Sequence, residues 1–192
     1  MTAQASDIVV FNNREYELAE FDGSGLFDPR EHGFKPVGMT TACWRGFVCT
    51  YEIVDQRLVL KRLNMGSLGP GSEKMKLIKM FGQGCTISIS GWFGATVEDG
   101  SRPVPFDGSM LIGRDFIGNR HVNMGFHSAY EYMNVWELVF HRGHLTSSKD
   151  LSKDMAQYRE THVELLPDPR DTESTMLWVV DRFSRRRRDK KG

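Results

Sequence analysis

The residues best able to do chemistry stand close together in "TTACWRGFVCTYEIVDQRLVLKRL", Thr40 to Leu63. Cys43 is a thiol with Arg45 two residues on, and a neighbouring guanidinium favours the reactive thiolate. Glu52 occupies the same place in its apolar run as Glu137 does in "YEYMNVWELVFHRGHLTS". If the two runs paired, the facing carboxylates would divide acid and base duties. Each of these groups also has a plainer role. Cys43 shares the face of Phe47, Cys49, Tyr51 and Ile53, where a thiol behaves as a small apolar side chain. A Glu on the wet face of a strand needs no further account. Arg45 is then out of place on that face unless a carboxylate or a path to solvent receives it.

Other chemistry has less support. "MGSLGPGSEKMK" sets Gly66 and Gly71 at the spacing of a phosphate loop, but Ser72 and Glu73 stand where that loop needs Lys and Ser or Thr. The segment is therefore expected to be a loop between strands. The six histidines (His32, His121, His127, His141, His144 and His162) and three cysteines include no close Cys pair. Cys43 and Cys49, six positions apart on one strand, would stand about 20 Å from each other. Only His141 and His144 could meet across a turn, so no metal site and no cofactor is expected. Nucleophile-elbow and Ser-His-Asp patterns are missing. These readings favour a non-catalytic binding module; the alternative is an enzyme of unknown class using Glu52, Glu137 or Cys43. The binding surface would be a groove lined by Trp44, Arg45, Trp92 and Tyr130, residue types enriched where proteins hold partners, here a protein or a small molecule.

The elements that must position these residues read as hairpins. "IVVFNNREYELAEF" turns at Asn12-Asn13, the Thr40–Leu63 stretch turns near Asp55-Gln56, and the Tyr130–Ser147 stretch turns at Gly143, all residues that accept a positive φ. "CTISISGWFGATV" alternates apolar Cys85, Ile87 and Ile89 with Thr86, Ser88 and Ser90, a strand region with a bend at its glycines. One helix is predicted near Lys149 to Thr161, from Leu151, Met155, Tyr158 and His162, with Ser147 and Asp150 as its capping box. "STMLWVVDRF", 174–183, reads as a strand by its β-branched and aromatic content, although Leu177, Val180 and Phe183 also suit a helix. The fold class is therefore mainly β within α+β: an antiparallel curved sheet or partly open barrel built from hairpins, with one short helix packed near the C-terminal part.

The chain of 192 residues is 40% hydrophobic and 26% charged, the balance of a globular protein of one domain, placed at 1–183. No apolar run approaches the roughly 20 residues of a membrane span, and Ile8 to Phe11 is too short for a signal-peptide core. With cysteines too few for a disulfide framework, a cytoplasmic location and no membrane partner are expected. The overall charge of zero conceals an asymmetry. Arg182 to Gly192 holds seven basic residues against Asp189, a net of +6 that leaves −6 for the rest. The end of the chain, 184–192, is expected to be a disordered basic tail. Its Arg185, Arg186, Arg187, Arg188, Lys190 and Lys191 make non-specific binding of nucleic acid a minor alternative.

"TTACWRGFVCTYEIVDQRLVL", then "GWFGA", then "MGFHSAYEY" and "LVFHRGHL" together resemble the ordered blocks of a family of small bacterial proteins. In that family a Thr-Ala-Cys-Trp-Arg-Gly strand, a Trp-Phe strand and a Tyr-Glu strand with a Gly turn recur. The resemblance spans about Phe11 to Leu145. It implies a bacterial or phage origin and a β-rich core, and with no established activity in the family it assigns no residue a role. The connection over 66–84 and the basic end depart from the family pattern.

Overall fold

The structure, a computed structural model, describes residues 3–38, 40–66, 72–81, 84–90, 94–118, 125–161 and 171–184. Three two-residue turns organise it. Asn12 and Asn13 (φ 50° and 59°), Asp55 and Gln56 (47° and 62°), and Arg142 and Gly143 (47° and 77°) all take positive φ at both central positions. That is the turn whose twist matches flanking antiparallel strands. They join β1 (Ile8–Phe11) to β2 (Arg14–Ser24), β3 (Phe47–Val54) to β4 (Arg57–Met65), and, beyond β5 (Thr86–Ser90), β6 (Gly94–Glu98), β7 (Arg102–Pro103) and β8 (Asp107–Phe116), β9 (Tyr132–His141) to β10 (His144–Asp150).

The strands form one sheet ordered β10-β9-β8-β2-β1-β3-β4, which closes on itself where β10 meets β4 at His144 and Arg57. This is a closed seven-stranded barrel. Leu58 N–H donates to the Gly143 carbonyl and Leu145 N–H to that of Gln56, each at 2.8 Å, and these bonds seal the closure. The mixed ladder departs from the antiparallel sheet the hairpins suggest, and the reason is arithmetic. Directions cannot alternate all the way round a ring with an odd number of strands. The unavoidable parallel seam is β1 against β3, with Ile8 opposite Thr50 and Val10 opposite Glu52.

Period-2 alternation decides what fills the ring. Val9, Leu18, Cys49, Tyr51, Leu60, Leu63, Met110, Ile112 and Leu138 point inward and are fully buried. The interior is therefore a packed core. Outside β2, β8 and β9 a smaller cluster of Ala19, Leu111, Tyr132 and Val135 is covered by Leu151 and Met155.

The helices differ most from the sequence reading. The Met65–Lys76 segment, expected as a loop, instead runs into α1 (Ser72–Phe81), whose Leu77 is buried in the main core. The predicted helix near 149–161 is α2 (Ser152–Thr161), but Ser147 lies in β10. The capping acceptor is Asp150, whose Oδ1 receives Ser152 N–H at 2.8 Å. The 174–183 stretch is no strand: it is α3 (Thr172–Phe183). Asp171 accepts there from Ser174 N–H, 3.2 Å at its side chain, and from Thr175 N–H, 3.0 Å at its carbonyl. A capped start outweighs the strand preference of Val179 and Val180.

Two glycines with positive φ separate conformational strain from close packing. At Gly33 (φ 75°) a Cβ would meet nothing within 4 Å, whereas at Gly143 (φ 77°) it would collide with the Val104 carbonyl oxygen. Gly33→Ala is expected to cost about 1–2 kcal/mol, the strain of the left-handed conformation alone. Gly143→Ala should cost clearly more, because backbone in the barrel closure must also move. Urea unfolding of the two variants side by side measures the difference.

Candidate functional site

Three of the predicted chemical residues, Cys43, Trp44 and Arg45, lie at the corner where the N-terminal segment enters the barrel. Residues 3–7 thread between the 40–46 turn and the segment beginning at Gly125. Gln4 N–H donates to the Gly125 carbonyl and Ala5 N–H to that of Ala42, both at 2.7 Å. The Gln4 side chain spans the turn, its Nε2 donating to the Thr41 carbonyl (2.9 Å) and its Oε1 accepting from Trp44 N–H (3.1 Å).

Arg45 finds the carboxylate its position demands. Its Nη2 and Nη1 donate to the two oxygens of Asp7 at 2.6 and 3.0 Å, and Asp7 Oδ1 also accepts Cys49 N–H at 2.7 Å. The guanidinium lies 4.8 Å from the Phe47 ring centre and 5.9 Å from that of Phe126. Burial disfavours its charge, but Asp7 more than compensates and the Arg45 pKa is raised. Sequence separation had hidden Asp7.

Beside this pair, Glu17 on β2 accepts from the Tyr132 hydroxyl at 2.8 Å, and His127 Nδ1 stands 3.8 Å from the same Glu17 oxygen and 3.3 Å from the phenol. With its one proton committed to Glu17, the phenol oxygen can only accept from His127, which calls for a proton on Nδ1. Phe116 stacks on the imidazole with centroids 4.2 Å apart. The neighbouring His127 imidazole outweighs burial and, with the hydrogen bond from Tyr132, holds the Glu17 carboxyl below its ordinary value of 4.5. Burial first, then Glu17, pushes the Tyr132 phenol far up, so it serves as a donor and not as a base.

A second ion pair anchors α3. Arg182 Nη1 donates to Glu131 Oε2 at 3.3 Å, both side chains being 1% exposed, and the same oxygen accepts Ser128 N–H at 2.7 Å. Phe126 N–H donates to the Arg182 carbonyl at 2.7 Å. Gly125 (φ 72°) permits that approach, since a Cβ there would collide with the same carbonyl oxygen. None of Asp7, Glu17, His127, Glu131, Tyr132 and Arg182 stands out by local spacing. The one signal was the need of Arg45 for an acidic partner.

The other sequence candidates are distributed differently. Trp44 is 56% exposed and its indole stacks on Phe183 at the end of α3, centroids 5.3 Å apart and planes 10° from parallel. Tyr130 lies instead against Tyr158 of α2, at 5.6 Å. Cys43 is buried in the turn before β3, its Sγ 3.6 Å from the Phe47 carbonyl. Glu52 and Glu137 do not face each other. They are on β3 and β9, which are not neighbours in the ring, and Glu52 pairs with Lys61 at 2.7 Å. The paired-hairpin expectation fails because β1 occupies one side of β3 and β4 the other. His141 is taken by Asp107 at 2.9 Å, and no group of three or more His, Cys, Asp or Glu among the described residues could hold a metal ion. Trp92, His121, His162 and the basic run Arg185, Arg186, Arg187, Arg188, Lys190 and Lys191 lie outside the described residues.

Comparison with protein-family models, with curated proteins and with solved structures finds no match to this chain.

Two measurements check the electrostatics of this corner. Arg45→Met strands the Asp7 charge and is expected to cost about 3–5 kcal/mol. Adding Asp7→Asn, which removes that charge but keeps an oxygen for Cys49 N–H, should restore a large part in chemical unfolding. Glu17 has a folded-state pKa below its unfolded one, so its stabilising contribution is complete above about pH 4.5 and is lost as pH falls through the lower folded value. Glu17→Gln should flatten the acid limb of a melting temperature against pH profile below pH 4.5 and leave its shape near neutrality unchanged.

Proposed function

We propose that the protein is a non-catalytic binding module whose contact surface is the apolar stripe running from Trp44 across Phe183 to Val180 and Met176. One observation carries this reading. Met176 and Val180 are 64% and 65% exposed, and with Phe183 they recur at i, i+4 and i+7, one face of α3. Leu177, 65% exposed, widens the face. Scattered exposed apolar residues are ordinary, but a continuous row on one helix that leads into a Trp has the composition of a partner-binding surface. The opposite side of the helix is turned inward, where Arg182 is buried.

This assigns the expected binding residues different tasks. Trp44 makes contact, Arg45 lies beneath and fixes the turn that presents Trp44, and Tyr130 belongs to the α2 face. The titratable groups support the same reading, because Asp7, Glu17, Glu52 and Glu131 are engaged by Arg45, Tyr132, Lys61 and Arg182 respectively.

Photo-crosslinking in an extract of the native host tests the surface. With p-benzoylphenylalanine at position 177, a saturable adduct is expected, competed by excess wild type and not by the Met176→Ser/Val180→Ser variant. With the probe at Val54, an exposed apolar residue elsewhere, that adduct should be missing. Equal labelling at 54, or equal competition by the variant, would overturn the proposal.

A further inference from the structure

We infer that the protein carries a second contact surface, separate from the α3 stripe, whose partner is a single-stranded nucleic acid held by the lysines around α1 and stacked on His32. The surface is built around Phe27. The short 3-10 turn Pro29–His32 ends at Gly33, whose N–H donates to the Arg30 carbonyl at 3.1 Å. That turn lays the His32 imidazole on the Phe27 ring, centroids 5.0 Å apart and planes 17° from parallel. The Arg102 guanidinium of β7 lies 5.9 Å from the centre of the same ring, and its Nη1 donates to the Met80 carbonyl of α1 at 3.3 Å. Phe81, at the end of α1, meets Phe27 at 6.2 Å. Lys76 Nζ donates to the Gly33 carbonyl at 3.4 Å and stands 5.9 Å from the Phe34 ring. Three segments remote in sequence thus bring their cations to one place.

Segments 27–35 and 72–81 with Arg102 hold six Lys and Arg against three acids, in a chain where the two totals are equal at 25. Of the acids, Asp28 is taken by Arg30. Lys35, Lys74 and Lys79 are exposed and, among the described residues, in no ion pair. Lys76 and Arg102 donate to carbonyls, which leave their charges uncancelled. A local excess of this kind on a neutral chain attracts phosphates. His32 decides which bearer of phosphates fits. Its side chain is exposed, and burial of its stacked face, then the charge of Arg102, hold its pKa below 6.5. Near pH 7 the ring is therefore neutral, and its outer face is a flat platform for a base. A duplex keeps its bases stacked on one another and gains nothing from that ring. A lipid surface needs apolar side chains beside the charges, but Phe27, Phe34 and Leu77 are buried, and Met75 is the one large apolar side chain exposed among the described residues of these segments.

The test is fluorescence anisotropy of the purified full chain with a labelled oligothymidylate of about twelve nucleotides, a length one small domain covers. Binding is expected to be at least tenfold tighter than to a duplex of equal length. Lys35→Gln/Lys76→Gln/Lys79→Gln should weaken it at least tenfold and lower the slope of log affinity against log salt by about 2, since each phosphate contact on a single strand contributes about 0.7. His32→Ala should weaken it at least fivefold with no change of slope, the mark of stacking as distinct from charge, and His32→Phe should restore it. Arg142→Gln/Lys149→Gln/Lys153→Gln, three exposed cations elsewhere, and Met176→Ser/Val180→Ser should bind within twofold of wild type. The variant Arg185→Gln/Arg186→Gln/Arg187→Gln/Arg188→Gln should keep both the lysine and the His32 effects. All these positions are on the surface or at the chain end, and unchanged circular dichroism melts confirm the folds. No binding, equal binding of duplex, equal loss in the Arg142 triple variant, or indifference to His32→Ala would overturn the inference. So would disappearance of binding in the Arg185–Arg188 variant alone, or tighter binding to phosphatidylglycerol vesicles than to the oligonucleotide. None of these outcomes alters the adduct at position 177, so the two surfaces stand or fall separately.

Discussion

Asp7 is a carboxylate with 1% of its side chain exposed, a state tolerated only when donors replace the water it has lost. Arg45 supplies two donors and the Cys49 N–H a third. Its own carbonyl accepts Leu18 N–H at 2.7 Å. One residue thereby joins the start of β1 to β2 on one side and to β3 on the other, at the parallel seam that an odd-numbered ring requires. β1 has only four residues, so its ladder alone gives few hydrogen bonds with which to hold the seam. The fixed geometry of a two-pronged guanidinium–carboxylate pair sets register there, which apolar contacts, being non-directional, do poorly.

What could be read from the sequence was local, and the three turns show why. Asn12-Asn13, Asp55-Gln56 and Gly143 announce themselves because positive φ is costly for most residues, and each is flanked by alternating apolar runs. The inward face of β3 followed from period-2 spacing, as did the demand of Arg45 for an acid. The identity of that acid did not follow, since Asp7 lies 38 positions away and nothing near it marks it out. Glu131 and Arg182 are separated by 51 positions and were invisible for the same reason. Barrel closure was equally hidden: it depends on the ends of β4 and β10 meeting, and a sequence written as hairpins does not say which hairpins touch. Trp44 was legible as a residue type, but its neighbour Phe183 was assigned to a strand, so the surface they form together could not be seen.

The misreading of 174–183 has a physical source that also explains the site. A buried strand and an apolar helix share composition, and the distinction rests on the few residues at the boundary. Asp171 settles it by capping, and Arg182 then fixes where the helix goes. A buried arginine within an apolar helix would ordinarily be a liability, because an ion pair removed from water recovers its desolvation cost only in good geometry. Here Glu131 is already held by Ser128 N–H, and the Phe126 amide takes the Arg182 carbonyl, so the end of the helix is fixed by direction-specific bonds.

Anchoring by a charge has a consequence that apolar docking would not have. A helix held to a barrel by its greasy face must bury that face, whereas α3 turns Arg182 inward and leaves Met176, Leu177 and Val180 outside. The two buried ion pairs thus act together although they share no atoms. Asp7 with Arg45 holds the turn that presents Trp44, Glu131 with Arg182 holds the helix end that presents Phe183, and the stack between the two rings is the product. Residues 3–7 link them, since Gln4 donates to Gly125 and accepts from Trp44. Small displacements of either pair would separate the rings before they disturbed the barrel core. The exposed stripe is therefore a tertiary construction, dependent on polar bonds behind it more than on the propensity of the helix that carries it.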